Sequence, residues 1–239
     1  MKADITIATL VLLGRFRPND FTIEQLLRGK VLSKDELAAA QYEVLLPEQA
    51  VVIVLPWGKL SVVDERFSVE IAQPPFIRGC DLVLKTLNDI AATSTILKFG
   101  INLVSHYRFD SIGARDTFAR KFAPLEPWGE FGVAVEKSFI EAGARHGGMM
   151  RVTMRQAVPA DRSAGWLDVT IEPSLAIDNN LGVAVSTNDH YELSPEELEV
   201  ASHTPRAISE KMLNLLASNF DTSIERSFQV SGILVDHKQ

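Results

Sequence analysis

Apolar and polar positions along the chain mark out most of its elements. Residues 5 to 14, "ITIATLVLLG", are rich in Ile, Val, Leu and Thr and predict a strand. "RFRPNDF" then turns the chain. Thr22 with Gln25, and Ser33 with Glu36, have the spacing of helix-opening capping boxes, which predicts two short helices between 22 and 42. "AVVIVLPWGKLSVV" places two apolar runs around "PWGK" and predicts a β-hairpin. After "QPPF", apolar residues recur at helical spacing from about 78 to 92.

A second pass follows. "TILKFGINLVSHYRF" is strand-like, "GARDTFARKF" reads as a helix, and "MMRVTMRQAV", "GWLDVTIEP" and "LGVAVSTN" read as strands. Ser194-Pro195-Glu196-Glu197 and Thr204-Pro205 each open a helix. Both halves thus run strand, helix, strands, helix, with an extra strand and an insertion at about 124–148 expected in the later one. The stretch "KTLNDIAAT" is answered 126 residues later by "KMLNLLASN": Lys85/Lys211, Leu87/Leu213, Asn88/Asn214 and Ala91/Ala217 are identical, and Ile90 matches Leu216. Leu87, Ile90 and Ala91, like Leu213, Leu216 and Ala217, share one side of a helical wheel. The expectation is an α+β fold, an antiparallel sheet packed by helices and built from a duplicated module. Its parts are residues 1–93 and 94–239, as two modules or one continuous domain.

Composition adds bounds. With 239 residues and 46% apolar content the chain can bury a substantial core. No apolar run reaches the roughly 18 residues that span a bilayer, so no membrane partner is expected. A net charge of −7 without a Lys/Arg-rich run disfavours nucleic acid as a partner. A lone cysteine, Cys80, allows no internal disulfide and no multi-cysteine metal site, and points to the cytoplasm.

The strongest acid pair is Asp168 and Glu172, which alternation puts on one face of a strand with Trp166 and Thr170. Two carboxylates there could hold a metal or do acid-base work. The preceding strand offers another explanation, since Arg151, Thr153 and Arg155 share one face. A single antiparallel register sets Arg155 opposite Asp168, Thr153 opposite Thr170 and Arg151 opposite Glu172, a ladder of favourable cross-strand pairs.

Other chemistry is sparse. His106, His146, His190, His203 and His237 form no tight metal-binding spacing, and no phosphate loop or nucleophile elbow occurs. His106 reads as a hydrogen-bonded residue near a strand end and His146 as part of a turn. His190, in "NDHYE", is a weak partner-binding candidate in a turn or helix approach, and adjacency to Asp189 on a strand would send the two to opposite faces. Cys80 reads as a packed small residue. Trp57 and Trp128, both in turns beside proline and glycine, are candidate partner anchors, although each could instead pack its loop onto the sheet.

The blocks Gly100-Ile101-Asn102, Pro127-Trp128, Glu172-Pro173-Ser174 and Asn188-Asp189-His190-Tyr191, in this order, resemble an uncharacterised, sporadically distributed bacterial protein family of about this length. The resemblance spans about 98–193 and implies a bacterial or phage-related source; it assigns no catalytic residue. The resulting expectation is a non-enzymatic cytoplasmic protein-binding or regulatory protein, in its most specific form a toxin-neutralising or phage-defence accessory, needing no cofactor and able to self-associate. Two alternatives stand: a metal-dependent hydrolase or nuclease using Asp168, Glu172 and His190, and a carrier of a small apolar ligand.

Overall fold

The computed structural model describes residues 1–89, 93–141, 148–201 and 204–236. The first half runs β1 (Ile5–Arg15), a 3-10 turn at Pro18–Phe21, α1 (Ile23–Arg28), α2 (Lys34–Ala39), β2 (Gln41–Leu46), β3 (Ala50–Leu55), β4 (Gly58–Val63), β5 (Arg66–Ile71) and α3 (Ile77–Asp89). The second runs β6 (Thr95–Arg108), α4 (Ile112–Arg120), a 3-10 turn at Glu126–Trp128, α5 (Gly129–Glu141), β7 (Val152–Ala157), β8 (Gly165–Pro173), β9 (Gly182–Glu192), α6 (Pro195–Ala201) and α7 (Pro205–Asp236).

The local signals act as their chemistry dictates. The Thr22 hydroxyl accepts from the Gln25 amide to start α1. Ser33 and Glu36 complete a reciprocal capping box on α2. Ser194 and Glu197 exchange the same two bonds at α6, and Thr204 caps α7 through the Ala207 amide.

The nine strands of the described residues form one antiparallel sheet in the order β2-β3-β4-β5-β1-β6-β9-β8-β7. The first strands of the two halves therefore lie side by side at its centre, with Leu10 opposite Ile101, and the sheet crosses the 93/94 boundary without a break. The fold is α+β, as expected. Among the described residues, however, the extra strand belongs to the first half, which has five strands against four. β2 escaped the sequence reading because its alternation is broken by a register shift between Tyr42 and Val44. β5 was also missed, although Phe67, Val69 and Ile71 alternate cleanly toward the core.

One face of the sheet carries the core. Leu10 and Leu12 of β1, Phe99, Ile101 and Leu103 of β6, and Tyr191 of β9 join Leu82, Val83 and Leu87 of α3 and Met212, Leu216 and Phe220 of α7 in one buried cluster. A second cluster gathers Tyr107, Phe109, Phe118, Ile171, Val183, Val185 and Val235 on the same side. The two matched helices behave alike at Leu87 and Leu213, both buried, and at Asn88 and Asn214, both exposed; Ala217 is exposed instead of buried. Ile90 and Ala91 lie outside the described residues. Ile7, Val11, Leu13 and Val104, on the opposite face, join neither cluster and are only half-buried. No helix layer covers that face among the described residues. Among the described residues, no helix is long and apolar enough to cross a membrane.

Candidate functional site

The uncovered face of the sheet presents the polar residues that the sequence singles out. β7 and β8 pair in the expected register, with Arg155 opposite Asp168 and Thr153 opposite Thr170. Arg155 donates from Nε and Nη2 to the two Asp168 carboxylate oxygens, each at 2.7 Å. The threonine hydroxyls meet at 2.9 Å, and Arg151 Nε lies 3.7 Å from Glu172. Hydrogen bonds from Arg155 hold the Asp168 carboxyl below the usual carboxylate range, so the acid is engaged and ionised.

His190 sits on the same face, inside β9 and not in a turn, opposite Gly100 and Trp166. Its ring stacks on the Trp166 indole at 3.8 Å, and the Arg155 guanidinium lies 4.5 Å above that indole. Burial depresses the imidazole pKa despite Glu192 at 3.5 Å, which favours the charged form. Beside it Asn188 faces Asn102, whose amide donates to the Thr9 carbonyl at 3.3 Å. His106 Nδ1 lies 2.8 Å from the Ser174 hydroxyl, near the end of β6 as expected. Gly100, Asn102, Glu172, Asn188 and His190, drawn from three of the four resemblance blocks, thus share one surface. His146, His203 and His237 lie outside the described residues. Among those described, no three His, Cys, Asp or Glu side chains converge as metal ligands.

Asp189, next in sequence, points the other way, into the core, and is fully buried. Arg162 reaches it at 2.6 Å and Arg226 of α7 at 2.9 Å. Both arginines also grip Asp161, Arg162 at 3.0 Å and Arg226 at 2.6 Å. Burial alone would raise the Asp161 pKa, but hydrogen bonds from Arg162 and Arg226 outweigh it and hold the carboxyl at about 2. Arg162 further lies 3.7 Å over the Tyr191 ring, and Tyr191 Oη is 2.8 Å from the Ser223 hydroxyl. This network ties the β7–β8 loop, β9 and α7 together. Sequence reasoning missed it. The available signal was phase: Asp189 alternates with Thr187 and Tyr191, both buried, and a buried carboxylate requires cationic partners.

The two candidate tryptophans separate. Trp57 is 3% exposed; its indole donates to Glu36 at 2.7 Å and lies 5.5 Å from the Arg78 guanidinium. It packs the hairpin onto α2 and is not placed to anchor a partner. Trp128 is 61% exposed and Phe131, one turn on, 64%; their rings are 6.1 Å apart. They border a groove of about 460 Å³ lined by Phe122, Leu125, Val135, Met149 and Val152, with Arg151 also in its wall. The 124–148 insertion is thus helical over Glu126–Trp128 and Gly129–Glu141 and exposes apolar surface.

Cys80 is buried, and burial, with Asp81 and Asp221 nearby, pushes its thiol up to about 12, so it is packing and not a nucleophile. Compared with known proteins, the chain matches no family model and no curated sequence.

Proposed function

We propose that this chain is a non-enzymatic, cytoplasmic protein-binding or regulatory protein whose contact surface is the apolar patch of the insertion. The observation that carries this reading is the pair Trp128 and Phe131, held more than half exposed beside an apolar groove. Clustered apolar exposure marks interaction surfaces, and aromatic side chains that become buried on binding dominate interface energetics. The uncovered sheet face supports the non-enzymatic part, because its strongest acid is consumed by Arg155.

A toxin-neutralising or phage-defence accessory role is the most specific form of the proposal. It rests on the resemblance to a sporadically distributed bacterial family, as does a bacterial source. Duplication of one module is part of the same proposal, supported by the central pairing of the two first strands.

Native purification from the host, with the intact mass measured, tests the reading. A stoichiometric second protein is the expected result, and a bare chain at every salt concentration would count against it. The carrier reading has one specific observation in its favour, the groove itself, which lies between the insertion and the start of β7 and not beneath the long helix. An apolar molecule retained in native mass spectra would favour it. The hydrolase reading predicts saturable Mg²⁺, Mn²⁺ or Zn²⁺ binding that depends on Asp168, Glu172 and His190.

A further inference from the structure

Two strands end the sheet, and they are finished differently. β2 carries the register break between Tyr42 and Val44, and its Tyr42 hydroxyl accepts from the Ile23 amide and donates to Glu24. β7 pairs with β8 in unbroken register from Val152 to Ala157. Edge strands are ordinarily guarded by bulges, prolines or charged side chains. β7 has neither bulge nor proline within it, and its charged side chains are drawn sideways into pairs, Arg155 with Asp168 and Arg151, just before the strand, with Glu172. The helix-side row of β7 is Val152, Met154 and Gln156, all uncharged. Met154 is 71% exposed, as is Met150 just before the strand, and Val158 just after it is also exposed.

We propose that β7 pairs antiparallel with β7 of a second copy of this chain, across a two-fold axis at Met154, joining the two sheets edge to edge. Side-chain alternation, charge and overlap select that register, since centres at Val152 or Gln156 would leave most of β7 unpaired. Keeping both helix layers on one side of the joined sheet requires positions of like parity to face each other. A register centred on Thr153 sets Arg151 against Arg155, and one centred on Arg155 sets that residue against itself; both are repulsive. Centred on Met154, Arg155 faces Thr153, Arg151 faces Ala157, Val152 faces Gln156 and Met154 meets its own copy. An isologous interface demands this self-match; a foreign strand does not. The start of this edge adjoins the apolar patch, since Met150, Arg151 and Val152 line the groove that Trp128 and Phe131 border, but Met154 at the axis is not part of that groove.

Sedimentation of the full chain over a range of concentrations, with three variants, tests the proposal. The wild type is expected at dimer mass. Met154→Lys brings two ammonium groups together at the axis and should weaken association by about tenfold or more, with the circular dichroism spectrum unchanged because Met154 is exposed in the single chain. Met154→Cys should give a disulfide-linked dimer on mild oxidation, since directly opposed antiparallel residues lie within disulfide reach and Cys80 is buried. Leu45→Cys on β2 should give none. A monomer at every concentration, or a dimer that Met154→Lys leaves intact, overturns the proposal. Neither result touches the Trp128 reading, whose own failure appears as partner capture that survives loss of that side chain at unchanged mass.

Discussion

Arg155 and Asp168 face each other across β7 and β8 through two hydrogen bonds of 2.7 Å, a fork of donors meeting both oxygens of one carboxylate. The pair turns the most prominent acid of the sequence into a sheet contact. Half of the arginine side chain is in water, which limits its worth. Asp168→Ala should cost about 0.5–1 kcal/mol in urea unfolding. Glu172→Ala, which loses only a 3.7 Å contact, should cost less. A double-mutant cycle of Arg155→Ala with Asp168→Ala should return a coupling energy of the same small size. A folded Asp168→Ala protein that lost a measurable catalytic activity would contradict this assignment.

Asp189 is a different case, because no water replaces its partners. Asp189→Asn leaves the Arg162 guanidinium buried and partly uncompensated, and should destabilise the fold by about 3–5 kcal/mol. Arg226→Ala, which leaves Arg162 still paired to both acids, should cost less. Urea denaturation of the two variants checks the order; equal and small losses would mean that the network does not hold β9 to α7.

The acid limb of stability should report two depressed carboxyls. Hydrogen bonds from Lys211, and then from Ser163 and the Ser194 amide, hold Glu197 at about 2, against an ordinary value of 4.5. Asp161, also at about 2, normally titrates near 3.8. A folded-state pKa below the unfolded one adds stability that is complete above the unfolded value and is lost as pH falls through the folded value. Both contributions should therefore fade between about pH 5 and pH 2, on the order of 1–2 kcal/mol each after screening by water. Glu197→Gln and Asp161→Asn should each flatten that part of the pH profile. An unchanged slope in both would disprove the assignment.

What the sequence disclosed, and what it hid, follows from the range of each signal. Capping at Ser33 and Ser194 is local, so it was legible. The β7–β8 ladder was legible because six alternating side chains admit one register. Trp57 and Trp128 looked alike, since each is a turn tryptophan; only packing against α2 separates them, and that depends on Glu36 and Arg78, distant in sequence. Asp189, Arg162 and Arg226 are brought together by strand pairing and by the course of a 32-residue helix, neither of which a short motif encodes. The placement of β2 at one edge of the sheet was hidden by its bulge.

The central claim is that the insertion presents a partner-binding surface, and a paired purification tests it most directly. Wild type and the Trp128→Ala/Phe131→Ala double variant would be isolated from the native host under identical gentle conditions, and their intact masses and thermal midpoints compared. Because both side chains are more than half exposed, the variant should match the partner-free wild type in Tm. The account predicts a stoichiometric second protein with the wild type and its loss with the variant. The same partner retained by both, or none with either, would contradict it.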